Sequence, residues 1–469
     1  MAAGHHSFLE VDHEQGGARH DGHGLHPARR RCAATRDHRP VNLGTVSLPT
    51  PAVVRRATFD DAEAARRLGH EGFGVPASPL PGPTADAFPG PHTRPWVATD
   101  GDEVVATLRV RSHTTWFHGA RLPTAGIAGV TVAAEHRGRG LLRPLFEAVV
   151  GEALEQGEVV STLFPSSAGI YTGLGYAGIA SHDTVRIPLA ALDRVPRPGT
   201  TTRARRATVE DLPAIVAVYD AWASAQNGTL TRQEDPFRLT AEELFGPDAE
   251  STAVTVAVQG PADGPEAGQV VGFCTWARGT GGYRHEAPPL QVSDLVALTP
   301  DAARALWRVL GSSASVVREV DLQTSGSWTH PDPASLVLPD RTAALVDANP
   351  YMLRVLDVPA ALGAARVAPV EARVRFAVAG PGDDLGPGGA RLRGAWLLET
   401  SGGAVQVVRD GDDLDGRPVL TPAGLAASYA GATSTANLRV AGHLSGPDTH
   451  DLLWDALWGG RDVHVRDAF

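Results

Sequence analysis

Short apolar runs alternate with amphipathic stretches from Pro51 onward. Trp96 to Thr99, Glu103 to Arg111, Gly126 to Ala133, Val159 to Phe164 and Thr184 to Leu189 have strand composition, bounded by turn formers. Between the third and fourth of these, Leu141, Leu142, Leu145, Phe146, Val149 and Val150 recur at helical spacing along one side of a segment. Pro144 is tolerable in the first turn of that helix and Gly157 stops it. The interleaving predicts an α+β or α/β unit built on a mixed sheet.

A second unit follows from repetition. Arg55-Arg56-Ala57-Thr58-Phe59-Asp60-Asp61 reads as a strand end, a Thr N-cap and an acidic first turn, with a helix to about Leu68. Arg205-Arg206-Ala207-Thr208-Val209-Glu210-Asp211 repeats the pattern about one domain length later. Between the copies, Val195-Pro196-Arg197-Pro198-Gly199 breaks both helix and strand and marks a linker. Strands are expected at Thr252 to Val258, Gln269 to Trp276 and Gln291 to Leu298, with a helix over Asp301 to Leu310. Further on, Ala372 to Val378 and Ala404 to Val408 alternate like half-buried strands, and Asp448 to Trp458 has one apolar helical face. The expected organisation is a disordered extension over 1–50, a first unit over 51–198, a second over 199–365 and a third over 366–469.

Composition removes several chemistries. The chain has 469 residues, and its 42 Lys+Arg are all Arg, which excludes a Schiff-base lysine and a P-loop. A formal charge of -11 argues against nonspecific nucleic-acid binding and suits a cationic small molecule. Cys32 and Cys274 are too few for a disulfide framework or a cysteine zinc site. No apolar run approaches the roughly 20 residues of a spanning helix, and the N-terminal stretch lacks a signal-peptide core, so a cytoplasmic protein with no membrane partner is expected. The acidic run Asp410 to Gly416 lacks calcium-ligand spacing, with Leu414 interrupting it and Thr421 where a Glu is required, so no metal is assigned.

The chemistry concentrates at Ala128-Gly129-Val130-Thr131-Val132-Ala133-Ala134-Glu135-His136-Arg137-Gly138-Arg139-Gly140-Leu141-Leu142-Arg143. A strand runs into a glycine-punctuated loop and then a helix whose N-terminus faces it. Gly138 and Gly140 let backbone N–H groups converge on an anion, and the helix dipole favours a pyrophosphate there. Arg137, Arg139 and Arg143 supply counter-charge. His136 beside the loop is read as a surface residue. The Rossmann spacing fails for want of a third glycine. The corresponding turn of the second unit, Ser293 to Arg304, has neither glycine nor a basic cluster and is not expected to hold a pyrophosphate.

This segment resembles the acetyl-CoA motif of the GNAT superfamily of N-acetyltransferases, with Arg137 and Gly140 at its first two anchors and Leu142 departing at the last. Phe164-Pro165-Ser166-Ser167-Ala168-Gly169-Ile170-Tyr171-Thr172-Gly173-Leu174-Gly175-Tyr176 extends the likeness to the Eis family of actinobacterial N-acetyltransferases, with Ala168 and Thr172 in place of family glycines. The resemblance covers roughly Ala52 to Phe469. It implies tandem GNAT domains followed by a sterol-carrier-like α+β domain, and acetyl-CoA as co-substrate. Acetyl transfer to amines of a cationic small molecule such as an aminoglycoside is implied, as is a homo-oligomer, a hexamer in the family. By the same resemblance Tyr171 is the general acid and the terminal carboxylate of Phe469 the base. Val130, Thr131, Val132, Arg137, Gly138, Arg139, Gly140, Leu141, Leu142, Arg143, Ser166 and Ser167 are assigned to the cofactor, with the Val132 N–H polarising the acetyl carbonyl. The family's aminoglycoside-binding carboxylates do not carry over to Glu71-Gly72-Phe73-Gly74-Val75, and the penultimate residue is Ala468. Acetylation of protein or peptide lysines, and a non-enzymatic lipid or sterol carrier working through the third domain, are the alternative readings.

Overall fold

The computed structural model describes residues 52–76, 82, 84–246, 253–260, 268–279, 287–325, 333–338, 343–380 and 384–469. The extension expected over 1–50 lies outside them.

The first part of the chain runs β1 (Val53–Arg56), α1 (Ala62–Phe73), β2 (Thr93–Asp100), β3 (Glu103–Phe117), β4 (Ala120–Val132), α2 (Leu142–Glu155), β5 (Val160–Leu163), α3 (Ala168–Thr172) and β6 (Ala177–Pro188). The next runs β7 (Thr202–Arg206), α4 (Leu212–Ala223), α5 (Ala241–Phe245), β8 (Ala253–Gln259), β9 (Gln269–Arg278), β10 (Leu290–Ala297), α6 (Pro300–Gly311), β11 (Glu319–Ser325) and β12 (Ala344–Val355). The last comprises α7 (Val358–Gly363), β13 (Ala372–Val378), β14 (Gly394–Ser401), β15 (Ala404–Arg409), β16 (Val419–Leu420), α8 (Pro422–Tyr429), α9 (Thr435–Val440), β17 (Leu444–Ser445) and α10 (Asp451–Trp458).

The repeated motif folds the same way twice. Thr58 and Asp61 form a capping box, as do Thr208 and Asp211, and the Asp of each is gripped by an Arg six residues earlier, at 2.6 Å for Arg55 and 2.7 Å for Arg205. The hydrogen bonds from Arg55 hold the Asp61 carboxyl down to about 2. The strand pairing, in contrast, departs from a simple tandem. One twelve-stranded sheet has the order β1-β2-β3-β4-β5-β12-β6-β11-β10-β9-β8-β7. Each half lends its last strand to the other: β12 inserts between β5 and β6, and β6 pairs with both β12 and β11. A second sheet, β15-β14-β13-β16-β17, belongs to the last part of the chain.

Side chains alternate across the sheet, and this alternation sets the two faces of the first half. Leu108 and Val110 of β3 and Ala125 and Ile127 of β4 pack with Leu145, Phe146 and Val149 of α2. Full burial of Leu145 alone contributes about 1.5–3 kcal/mol. Arg109, Arg111 and His113, and Gly126 on β4, point to the opposite face. There α1 approaches β4 so closely that a Cβ at Gly72 would stand 2.8 Å from Thr131 Cγ2.

Candidate active site

The site begins where two parallel strands part. β4 and β5 pair from Thr124 with Val160 to Ile127 with Leu163, and β4 then continues to Val132 beyond the end of β5. Gly129, at φ 62°, sits at the register shift between β3 and β4 that bends this free end. Ala133 N–H donates to Val105 O at 2.9 Å on the β3 side, so by antiparallel alternation the N–H of Val132 faces the gap. Above the gap, Gly138 and Gly140 have φ of 76° and 75°, the left-handed region that lets the loop turn its N–H groups inward at the start of α2.

The three loop arginines are differently engaged. Arg139 donates to Asp100 at 2.9 Å, Arg143 is forked onto Asp384, and Arg137 Nε reaches Val132 O at 3.3 Å. The counter-charge expected from Arg139 and Arg143 is thus already partnered, on the surface, and reaches an anion only by leaving a carboxylate. His136 bonds Arg139 rather than facing the gap. At the start of α6, Thr299 accepts from Ala302 N at 3.2 Å and Asp301 occupies the first turn, so the second half presents a filled cap and a negative charge where the first presents an open one.

Ser166 and Ser167 are exposed at the mouth of the turn after β5, and Ser167 is the N-cap residue of α3. Tyr171 is buried on the α2 face, its ring 6.1 Å from Phe146 and 6.3 Å from Tyr176. Burial, with the Tyr176 phenol beside it, pushes its hydroxyl up to about 12. Tyr176 is instead locked into the core by Ser161 Oγ at 2.7 Å. The turn between them is held from across the exchanged strand: buried Arg354 of β12 donates to the carbonyls of Leu174, Leu385 and Pro387.

Phe469 arrives on the opposite face. Its ring lies 4.9 Å from His113, 5.4 Å from Phe164 and 6.3 Å from Phe237, and a Cβ on Gly126 would meet its Cε2 at 2.7 Å. Tyr171 and Phe469 therefore pack in different clusters, on the two faces of the sheet at β4 and β5. Buried ion pairs guide the tail there. Asn227 N bonds Asp462 O, His464 N bonds Asn227 O, and Asp467 accepts from Arg232 Nη2 at 2.8 Å and Tyr219 OH at 3.1 Å. Arg232 also holds Asp294 of β10 at 2.7 Å. His113 is buried, and desolvation draws its pKa down to about 4, so it contributes a neutral ring.

The structure brings the Arg137 to Gly140 loop, Tyr171 and Phe469 to the two sides of β4 and β5, together with His113, Phe237, Arg232, Asp294, Arg354 and Asp467, which the sequence did not single out. The charged residues Arg466 and Asp467, close to the chain end, are the one local signal of an anchor.

Comparison with known proteins agrees with this fold. Residues 53–179 and residues 228–356 each match an acetyltransferase (GNAT) domain. An uncharacterized N-acetyltransferase of Streptomyces griseus is 32% identical over 397 residues, covering 82% of this chain and 91% of the relative. N-acetyltransferase Eis of Mycobacterium tuberculosis is 29% identical over 372 residues, 74% of this chain and 81% of its own. Among solved structures, a GCN5-related N-acetyltransferase from Kribbella flavida aligns with TM-score 0.70 and 28% identity over 89% of this chain and 99% of that one. Eis1 from Mycobacterium abscessus shares the fold with TM-score 0.64 at 22% identity, over 89% and 100% of the two chains. With two GNAT units and relatives of this kind along most of its length, the chain belongs to the Eis-like GNAT N-acetyltransferases.

Proposed function

We propose that the first half of the sheet binds acetyl-CoA and transfers the acetyl group directly to the primary amine of a small molecule. The gap between β4 and β5, capped by the Arg137 to Gly140 loop and the start of α2, carries this reading. It offers N–H groups to a pyrophosphate at one end and the Val132 N–H to a carbonyl at the other.

The amine nitrogen attacks the thioester carbonyl, forming the C–N bond as the C–S bond breaks. The terminal carboxylate of Phe469 accepts the ammonium proton, directly or through water, and Tyr171 protonates the departing thiolate. A phenol held near 12 by burial stays protonated across physiological pH, as an acid for this step must. Both halves are needed: the second has no open helix start for the cofactor, yet supplies Arg354 to the Tyr171 turn and Arg232 to the terminal tail.

The third unit, expected to be sterol-carrier-like, contributes the terminus and closes on α2 through Arg143 with Asp384 and Gly388 N with Glu147 at 3.0 Å. A hexamer in the cytoplasm, as in the family resembled, remains part of this proposal.

The test is CoA release across a panel of amines, an aminoglycoside included, by the intact protein, by Tyr171→Phe and by a chain lacking Phe469. Loss of turnover in both variants with acetyl-CoA binding retained is expected. Equal turnover in all three overturns the acid and base assignments, and tight lipid binding without CoA release from any amine favours a carrier.

A further inference from the structure

The face of the sheet that Phe469 shares with His113 carries two cations for which no role has yet been given. Arg109 and Arg111 alternate on β3 with Leu108 and Val110, which are buried on the α2 face, and both arginines therefore stand on the acceptor side. Arg111 is the cross-strand partner of Gly126, the residue against which Phe469 lies, so the two stems start about 5 Å apart. Its guanidinium is 5.3 Å from the centre of the Phe237 ring, and the Phe237 ring is 6.3 Å from that of Phe469. Arg109 lies under the bend of β4, where a Cβ on Gly129 would be 3.4 Å from its Nη1.

Neither guanidinium forms an ion pair with a carboxylate among the described residues. Arg109 is open to solvent yet walled closely enough that desolvation lowers its pKa, and Arg111 is lowered by desolvation and then by Arg109. Two like charges side by side, without an acid between them, repel each other and the ammonium groups of a polycation. Other arginines of this part of the chain are neutralised: Arg55 by Asp61, Arg94 by Glu158, Arg139 by Asp100. The unpaired Arg109 and Arg111 sit where the acceptor must lie, and neutral His113 beside them adds no compensating charge.

We propose that Arg109 and Arg111 form an anion subsite, so that the acceptor is a primary amine that also bears a carboxylate or a phosphate within a few bonds of the amine. The guanidinium forks take the anion's oxygens, and the stack of Arg111 on Phe237 fixes one of them in place. The amine is then directed toward the terminal carboxylate and the gap. The inference rests on the acetyl-transfer reading for its orientation, and it replaces the cationic acceptor implied by family resemblance with a zwitterionic one.

Matched amines decide it, using the full-length protein and CoA release: ethanolamine against phosphoethanolamine, propylamine against β-alanine, and an aminoglycoside as the polycation. The anionic member of at least one pair is expected to exceed its partner in kcat/KM by about tenfold or more, mostly through KM, as charge-assisted hydrogen bonds of ordinary strength require. Which pair shows it distinguishes phosphate from carboxylate. R109Q/R111Q should bring that ratio toward unity, and Arg111→Lys, which keeps the charge but loses the fork, should fall between.

A ratio at or below unity in the unmodified protein overturns the subsite, as does an aminoglycoside preferred to every anionic amine. A ratio that survives R109Q/R111Q, or an equal fall for both members of each pair, assigns the arginines elsewhere and also overturns it. Should no amine release CoA, calorimetric titration of phosphoethanolamine and β-alanine into the CoA-saturated protein gives the answer. Binding of either that R109Q/R111Q abolishes supports the subsite, and no binding of either contradicts it. Acetyl-CoA titration of the unmodified protein reports separately on the transfer reading.

Discussion

Tyr171 and Gly126 are the two residues whose chemistry is most exposed to test. If Tyr171 donates a proton to the departing thiolate, Tyr171→Phe should lower kcat by about 10²-fold or more while the dissociation constant for acetyl-CoA stays within a few-fold. With its hydroxyl near 12, the phenol should set no limb of the pH–rate profile below about pH 10. Gly126 is in ordinary extended backbone, so Gly126→Ala is tolerated by the strand itself, yet its new Cβ would collide with His113 Cε1 at 2.6 Å and Phe469 Cε2 at 2.7 Å. Steady-state kinetics should show a kcat loss of about tenfold or more, since small misplacements of a reacting group cost that much, and thermal melting should show at most the loss of about 1–3 kcal/mol that overpacking brings. At this scale the sequence was legible where chemistry depends on local order: glycines before a helix, a tyrosine in a turn. Arg109 and Arg111 were illegible because a charged residue alternating on a strand is ordinarily a solvated one, and nothing local shows that α1, Phe237 and the chain end surround that face.

At the scale of elements, the tail from Asp462 to Phe469 matters as much as the loop. It is led across the second half by Asn227, Arg232 and Tyr219 and is released at the first. Asp467→Asn leaves Arg232 paired with Asp294, so the fold should survive while the terminus loosens. The expected outcome is a drop in kcat with unchanged acetyl-CoA affinity, and an Arg232→Met chain should be worse, losing about 3–5 kcal/mol of stability in denaturant titration because Asp294 and Asp467 are left unpaired. Most elements were readable. Ala372 to Val378 is found as a strand with the expected ends, and the helix over Asp301 to Leu310 is α6. The helix expected to end near Leu68 continues to Phe73, where its last turns pack toward β4 and Gly74, at φ 81°, ends it by donating its N–H to His70 O at 2.9 Å. Strands β3 and β4 extend to a hairpin at His118 and Gly119, past the Arg111 and Gly126 limits expected, since His113, Thr115 and Thr124 are polar residues buried by tertiary contacts.

For the whole molecule, the reciprocal exchange of β6 and β12 makes the two halves one folding unit. Pattern reveals strands but not their neighbours, so the linker at Pro198 looked like a plain boundary although the strand before it is embedded among strands from beyond it. A chain ending after Val195 would leave β5 without β12 and should be insoluble or bind a dye for exposed apolar surface, whereas the full chain should show one calorimetric transition for the shared sheet. Acid should weaken this assembly through His113 and His118, each buried and drawn to about 4 by desolvation. The unfolded chain takes those protons near 6.5 and the folded one only near 4, so stability is complete above about pH 6.5 and falls as pH drops toward about 4, by on the order of 3 kcal/mol per histidine. The melting temperature of a His113→Gln, His118→Gln chain should depend less steeply on pH over that window. The central claim, that only the first half holds the cofactor, is tested most directly by calorimetric titration of acetyl-CoA. The account predicts one molecule bound per chain and its loss in an Arg137→Ala, Gly140→Val variant, with no effect of altering Thr299 and Asp301. Two molecules per chain, or binding indifferent to the Arg137 to Gly140 loop, would contradict it.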